Sequence, residues 1–226
     1  RLQELADYDT FMQKLEQQQQ DAFDEMKKMA EKLSQVRQRS CKKFAEEICG
    51  QMKELNFLDS RFEIRISEAE KYSPNGKDEA EFYLSVNPGE PLKSLGSVAS
   101  GGEISRVMLA VKTVLADEED TPTLIFDEID TGISGITAGK VGDRLRLIGQ
   151  SRQVICITHL PQIAAAADHH FLIRKKAEGT SVRTDVEMLD EAASVEELAR
   201  LLGGANVTER VMESAKELKE LAKCER

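Results

Sequence analysis

The first 57 residues contain one glycine and no proline, and apolar side chains recur in them at alternating steps of three and four. This heptad pattern is typical of a coiled coil, in which one stripe of a helix packs against a partner helix. The predicted stripe consists of Leu5, Tyr8, Met12, Leu15, Gln19, Ala22, Met26, Met29, Leu33 and Val36. A second stripe follows in a different phase, formed by Cys41, Phe44, Ile48, Met52 and Leu55. The pattern therefore predicts one long helix whose register changes after Val36.

A helix over residues 2–58 would be about 85 Å long, and it could not bury its own apolar stripe. It needs a second helix, so we predict that residues 1–58 form one limb of an antiparallel coiled-coil arm that enters a globular head. An ordinary dimerising coiled coil would give the same pattern, and this stretch alone does not distinguish the two. The sequence starts within the pattern at Arg1, without an initiator Met, which predicts a fragment or a processed piece.

The rest of the chain has the mixed pattern of an α/β domain. Residues 62–66 and 82–86 alternate apolar and polar side chains, and the run from Ser73 to Lys77 between them is typical of a turn. These residues predict a pair of strands. Two short apolar runs, Leu124–Phe126 and Val154–Ile157, have the character of buried strands in a sheet.

Residues suited to phosphate chemistry stand beside these elements. Ser100-Gly101-Gly102-Glu103 precedes a predicted helix, Asp127-Glu128 follows the first apolar run, and Thr158-His159 follows the second. Intervals of 25 and 32 residues separate the last glycine, the first carboxylate and the histidine, and each interval fits one helix plus one strand of a parallel sheet. A glycine-rich helix start attracts an anion, and paired carboxylates can hold Mg²⁺ and orient a water. Together the three pieces predict a nucleotide site.

The loop that would hold the nucleotide's phosphates is missing. That loop needs four residues between its glycines, followed by Lys and then Ser or Thr. The nearest segment, Gly135 to Val141, has three residues between its glycines and ends in Val, so we interpret it as part of a helix. Taken singly, the three pieces also have plain structural interpretations: Ser100 as a helix cap, Asp127-Glu128 as an acidic turn and His159 as a structural residue.

Composition limits the partners and the compartment. The formal net charge of −10 argues against the chain alone following a nucleic-acid backbone, because such binding depends on Lys and Arg neutralising phosphates. The sequence has no long apolar run, so no membrane partner is predicted. Four cysteines lack a metal-ligand spacing, which predicts a reduced, soluble, cytosolic protein; they are Cys41, Cys49, Cys156 and Cys224.

The runs Val98–Arg106, Ile125–Gly135 and Ile157–Ala165 closely resemble the RecN family of bacterial DNA repair proteins, which are SMC-like members of the ABC ATPase superfamily. The similarity extends to residues 198–204. It implies an α/β fold, the C-terminal lobe of an ABC/SMC-type ATPase head with a mostly parallel sheet and flanking helices, preceded by a long coiled-coil helix. The implied boundaries are residues 1–58 for the arm limb and 59–226 for the lobe.

The resemblance also implies a role for each site residue. Ser100, Gly101, Gly102 and Glu103 match the ABC signature, which contacts the γ-phosphate of ATP held by the opposite head. Asp127 matches the carboxylate of the Mg²⁺ site, Glu128 the catalytic base, Asp130 the D-loop at the nucleotide interface, and His159 the switch histidine that senses the γ-phosphate. Ala99 departs from the Leu that is common in the wider superfamily.

The partners follow from the same resemblance. ATP and Mg²⁺ are the implied cofactors, and an N-terminal half would supply the phosphate loop, known as Walker A, and the other limb of the arm. A second identical head and DNA are the implied macromolecular partners, in recombinational repair of double-strand breaks in the cytoplasm, at the nucleoid. Without its N-terminal half the chain is predicted to be inactive. The alternatives are another SMC-like or RecF-like ATPase and, from a different class, a coiled-coil scaffold whose head never completes a site.

Overall fold

A computed structural model describes residues 2–57, 59–97, 100–116, 120–178 and 181–224. The helices are α1 (Leu2–Glu54), α2 (Gly101–Val114), α3 (Gly135–Gly149), α4 (Pro161–Ala165), α5 (Glu191–Gly203) and α6 (Glu209–Cys224). The strands are β1 (Arg61–Ser73), β2 (Gly76–Ser85), β3 (Lys93–Ser94), β4 (Thr123–Phe126), β5 (Gln153–Cys156), β6 (His170–Glu178) and β7 (Ser181–Leu189). Two compact units divide the chain: Arg1–Cys49 with Arg61–Ser97, and Gly50–Ser60 with Val98–Arg226.

Helix α1 confirms the long helix that the heptad pattern predicts. The large apolar residues of the first stripe with described side chains are all exposed: Tyr8, Met12, Leu15, Met26, Met29, Leu33 and Val36. The second stripe behaves differently, because Ile48, Met52 and Leu55 are almost completely buried. The two predicted stripes therefore differ in burial, with the first exposed and the C-terminal part of the second buried.

A hairpin packs against α1 within the first unit. Strands β1 and β2 pair antiparallel, with Phe62 opposite Leu84, as the alternating pattern predicts. The ring of Tyr72 on β1 lies edge-on to that of Phe23 on α1, with centroids 5.9 Å apart. The guanidinium of Arg37 contacts the carboxylate of Asp78 on β2 at 3.0 Å. The hairpin itself was predicted from the sequence, but its packing on the helix was not.

The hairpin covers a stripe of α1 that lies beside the exposed one. Ala30 and Ser34 are buried there, and Arg37 and Cys41 are half-buried. Each of the first three lies one position beyond a residue of the exposed stripe, which corresponds to a rotation of about 100° around the helix. Between residues 29 and 37, α1 therefore presents two adjacent faces, one covered by the hairpin and one exposed.

The second unit contains the predicted parallel strands. β4 and β5 pair in parallel from Thr123 opposite Gln153 to Phe126 opposite Cys156, and α3 lies between them in the chain. The predicted α/β lobe is confirmed, although among the described residues only β4 and β5 are parallel. β6 and β7 form an antiparallel hairpin instead, because the two residues that join them are too few for the crossover that parallel strands need.

The second unit contains a buried cluster formed by helices. α4, α5 and α6 meet in a cluster of buried residues, to which Leu198 on α5 contributes the largest side chain; the cluster consists of Ala164, Ala165, Leu198, Ala199 and Ala215. α3 packs against α2, α4 and β5. In the part of the chain that the structure describes, no helix combines the length and the apolar character that crossing a membrane requires.

Candidate functional site

The three sequence-predicted pieces meet at the carboxyl ends of β4 and β5. The N-terminus of α2 contacts the loop that follows β4, and that loop contacts the residues that follow β5. Parallel strands end at the same edge of a sheet, which is why residues far apart in the sequence meet here. The structure thus brings together the serine-glycine motif, the carboxylate pair and the Thr-His pair.

Ser100 caps the N-terminus of α2. Its backbone is extended, and its Oγ accepts a hydrogen bond from the backbone N–H of Glu103 at 3.4 Å. An N-cap serine and the helix dipole together leave an electropositive end that suits an anion. Val98 and Ala99, which precede the cap, lie outside the described residues. The structure therefore does not describe the position where Ala99 replaces the Leu of the wider superfamily.

The two glycines of the motif lie against the loop after β4. Gly102 is buried, and a Cβ atom there would be 2.7 Å from the backbone oxygen of Thr131, so no larger residue fits without a backbone shift. Gly101 is exposed, and a Cβ atom there would be 2.8 Å from Oε2 of Glu128. Gly101 therefore lies beside the carboxylate of Glu128, whereas Gly102 packs α2 against the loop after β4.

The carboxylate pair is exposed at the start of that loop. The backbone N–H of Glu128 donates to Oδ1 of Asp127 at 2.9 Å. Glu128 has φ +57°, a left-handed conformation that costs a residue other than glycine about 1–3 kcal/mol. Backbone strain of this kind persists where surrounding contacts fix it, and it occurs often at functional sites.

The side chain of Arg106 on α2 holds the loop after β4 in place. This role was not predicted from the sequence. Its buried guanidinium donates to the backbone oxygens of Thr131 at 2.8 Å and Ile129 at 3.4 Å. The hydroxyl of Ser105 donates to the backbone oxygen of Asp127 at 3.1 Å. The available signal was an arginine beside the apolar residues of α2, but its acceptors are backbone atoms that no motif identifies.

Asp130 connects this loop to the Thr-His pair. Its carboxylate is 5% exposed, and Oδ2 accepts hydrogen bonds from the Thr158 hydroxyl at 2.6 Å and the His159 backbone N–H at 2.8 Å. The same oxygen lies 2.9 Å from Nδ1 of His159, whose side chain is 74% exposed. Burial raises the pKa of Asp130, but the hydrogen bonds and the nearby imidazole outweigh burial and hold it below the ordinary value.

The donor set fits Mg²⁺ only in part. Mg²⁺ is bound in proteins by one or two carboxylates together with substrate phosphates, and Asp127 offers an exposed carboxylate of this kind. The described residues include no group of three His, Cys, Asp or Glu side chains that could hold a metal by themselves. Burial, with the charges of Asp130 and Asp127, raises the pKa of the Cys156 thiol to about 12.

The chain is similar in sequence to several curated DNA repair proteins. The chain is 46% identical to the DNA repair protein RecN of Halalkalibacterium halodurans, over 84% of this chain and 34% of that protein. It is 44% identical to RecN of Vibrio cholerae, over 84% and 34%, and 36% identical to RecN of Bacillus subtilis, over 96% and 40%. The chain thus spans little more than a third of the length of these curated relatives. No family model matches it.

One solved structure supports the fold. The Smc head domain with a coiled coil and joint from Pyrococcus yayanosii superposes with a TM-score of 0.53, at 21% identity, over 73% of this chain and 30% of that one. At this identity the likeness concerns the fold alone. It agrees with the α/β lobe that follows a long helix here.

Proposed function

Because the chain belongs to the RecN family of DNA repair proteins and corresponds to its C-terminal part, we propose that it supplies one half of an ATPase head that acts in recombinational repair of DNA double-strand breaks. Within it, residues 1–58 form the arm limb and residues 59–226 the lobe of the head. The observation that supports this most is the meeting of Ser100, Asp127-Glu128 and His159 at one sheet edge.

Three side chains serve hydrolysis in this proposal. Asp127 binds Mg²⁺, which neutralises charge on the phosphates of ATP when it is bound. Glu128 orients and deprotonates the attacking water, and its exposed position leaves the carboxylate free to rotate toward it. His159 presents its exposed imidazole to the γ-phosphate. Asp127 and Glu128 suit these roles because phosphoryl transfer depends on positioning and charge neutralisation.

In this proposal, the signature residues contact a different ATP molecule from the one that Asp127, Glu128 and His159 act on. Ser100, Gly101, Gly102 and Glu103 contact ATP that a second, identical head holds, so hydrolysis requires two engaged heads. The capped, electropositive start of α2 supports this role, because it suits a phosphate that approaches from outside the chain.

An N-terminal half of the protein completes the head. Apolar side chains are exposed on one face of the β4–β5 pair and on one face of the β6–β7 hairpin; they are Ile125, Ile155, Ile157, Phe171, Ile173, Val182, Val186 and Met188. Patches of this kind mark interaction surfaces. The length of the relatives beyond the matched third supplies a suitable occupant, which would also bring the phosphate loop and the second arm limb.

DNA is the final partner in this proposal, and family membership is its basis. The net charge of −10 indicates that the basic surface lies mainly outside this chain or is shared with other parts of the protein. A role on chromosomal DNA places the complete protein in the cytoplasm, at the nucleoid.

The test is Mg²⁺-dependent ATP hydrolysis by this chain alone and after co-expression with its N-terminal half. We expect activity only in the combined sample. Glu128→Gln should retain ATP binding but lower turnover by about 100-fold or more, the usual contribution of a general base. Glu213→Gln on the exposed side of α6 provides the matched control and should hydrolyse ATP normally.

Unchanged hydrolysis in the Glu128→Gln protein would remove that residue from the role of base. No hydrolysis in either sample, together with a stable coiled-coil dimer, would instead support the scaffold alternative.

A further inference from the structure

Among the predicted site residues that carry a side chain, Asp130 is the one whose side chain is buried. Its neighbours Asp127 and Glu128 are exposed at the start of the loop, whereas the Asp130 carboxylate turns inward and is 5% exposed. Three groups converge on its Oδ2 oxygen: the Thr158 hydroxyl, the His159 backbone N–H and Nδ1 of the His159 ring. A carboxylate with these neighbours is not positioned to touch a nucleotide.

The contact with the ring determines where the imidazole proton lies. An ionised carboxylate can only accept hydrogen bonds, and a neutral imidazole has one N–H donor and one acceptor nitrogen. At 2.9 Å from Oδ2 of Asp130, Nδ1 of His159 must be the donor. Nε2 is then the acceptor nitrogen of the neutral ring. The same contact also limits rotation of a side chain that is otherwise 74% exposed.

Other contacts fix Asp130 in turn. Arg106 donates to the backbone oxygens of Ile129 and Thr131, the two residues that flank Asp130. On the other side, the Thr158 hydroxyl donates to Asp130 and accepts the backbone N–H of Leu160 at 3.0 Å. The carboxylate is therefore fixed by α2 and by the residues that follow β5 before any ligand binds.

We propose that Asp130 is a positioning residue, which fixes the tautomer and the orientation of His159 for hydrolysis rather than contacting the nucleotide itself. The part of this proposal that concerns hydrolysis rests on the proposed function. The tautomer of His159 is a property of this chain alone and can be measured without ATP.

The first test is ¹⁵N NMR of the imidazole nitrogens in this chain, at an alkaline pH where ordinary histidines are neutral. The sequence has three histidines, so His159→Gln identifies the signals of interest. We expect His159 to be protonated on Nδ1. Asp130→Asn should shift the population toward protonation on Nε2, because an amide in place of an orienting carboxylate can donate to Nδ1.

Thr158→Val is the matched control. It removes another hydrogen bond to the same oxygen of Asp130 but leaves the Nδ1 contact, so His159 should remain protonated on Nδ1. Thermal unfolding of both variants separates loss of the fold from loss of the tautomer. An unchanged His159 tautomer in folded Asp130→Asn would overturn the proposal.

The second test uses the complete protein. Asp130→Asn should lower kcat by about 10- to 100-fold with little change in KM, comparable to losing an outer-shell partner of a functional histidine. Adding His159→Gln should cause little further loss, because the two residues act as one unit. Additive losses, or normal kcat in Asp130→Asn, would overturn the role in hydrolysis.

Failure of the proposed function looks different. In that case Glu128→Gln would not reduce hydrolysis, or the complete protein would not hydrolyse ATP at all. The NMR result on this chain would still decide whether Asp130 sets the tautomer.

Discussion

Gly102 packs the first turn of α2 against the loop after β4. A substitution at this one residue tests how tightly the site is packed. A methyl group there would lie 2.7 Å from the backbone oxygen of Thr131, and a backbone atom cannot rotate away as a side chain can. We expect Gly102→Ala to lower the free energy of unfolding by about 1–3 kcal/mol, the usual cost of overpacking. Urea unfolding of this chain measures the change.

Gly101→Ala is the control for that substitution. Its methyl group would meet only the end of the flexible Glu128 side chain, so the free energy of unfolding should change much less. Equal losses in the two variants would show that the close contact with Thr131 is not what requires glycine at position 102.

Some residues of the site could be predicted from the sequence and others could not. Asp127, Glu128 and His159 follow apolar runs at intervals that fit parallel strands, and parallel strands end at one edge. The burial of Asp130 was not predictable, because it depends on the Thr158 hydroxyl and a backbone N–H that meet it only in the folded chain. Arg106 escaped prediction for a similar reason, since its acceptors are backbone oxygens.

At the scale of elements, α1 and its hairpin also have features that the sequence predicts and features that it does not. The heptad pattern predicts the helix, and the alternating strands with their turn predict the hairpin, because both signals are local. The contact between them is not local. Phe23 and Tyr72 are 49 positions apart, and no periodicity in either element indicates that their rings meet.

We expect this aromatic pair to stabilise α1 where the hairpin covers it. Phe23→Ala and Tyr72→Ala should each accelerate amide hydrogen exchange in residues 23–37, since much of the stability of a helix comes from tertiary packing. The double variant should reveal a coupling of about 0.5–1.5 kcal/mol, the range for an edge-to-face pair. Phe11→Ala, at an exposed position on the same helix, is the control and should leave these amides unchanged. A coupling near zero would mean that the rings do not stabilise the contact.

At the scale of the whole molecule, the proposal requires two heads to meet at the start of α2. Ser100→Arg in the complete protein should block ATP-induced dimerisation, because it places bulk where the phosphate of the opposite nucleotide belongs. Ser100→Asp should have the same effect while keeping an N-cap acceptor, since its negative charge repels the phosphate. Sedimentation with and without ATP measures dimerisation, and Ser214→Arg on the exposed side of α6 is the control. Normal dimerisation of both Ser100 variants would count against the two-head site.

The hairpin on α1 bears on how a second helix would pack in the proposed arm. Its contacts at Phe23 and Arg37 prevent the helix from turning about its own axis, because a turn would break the aromatic pair and the ion pair together. The exposed side chains of Met29, Leu33 and Val36 therefore keep a fixed position beside the hairpin, about 100° around the helix from the covered stripe. In the proposed arm, a second helix would meet a preorganised surface, and less orientational freedom would be lost when the two helices join.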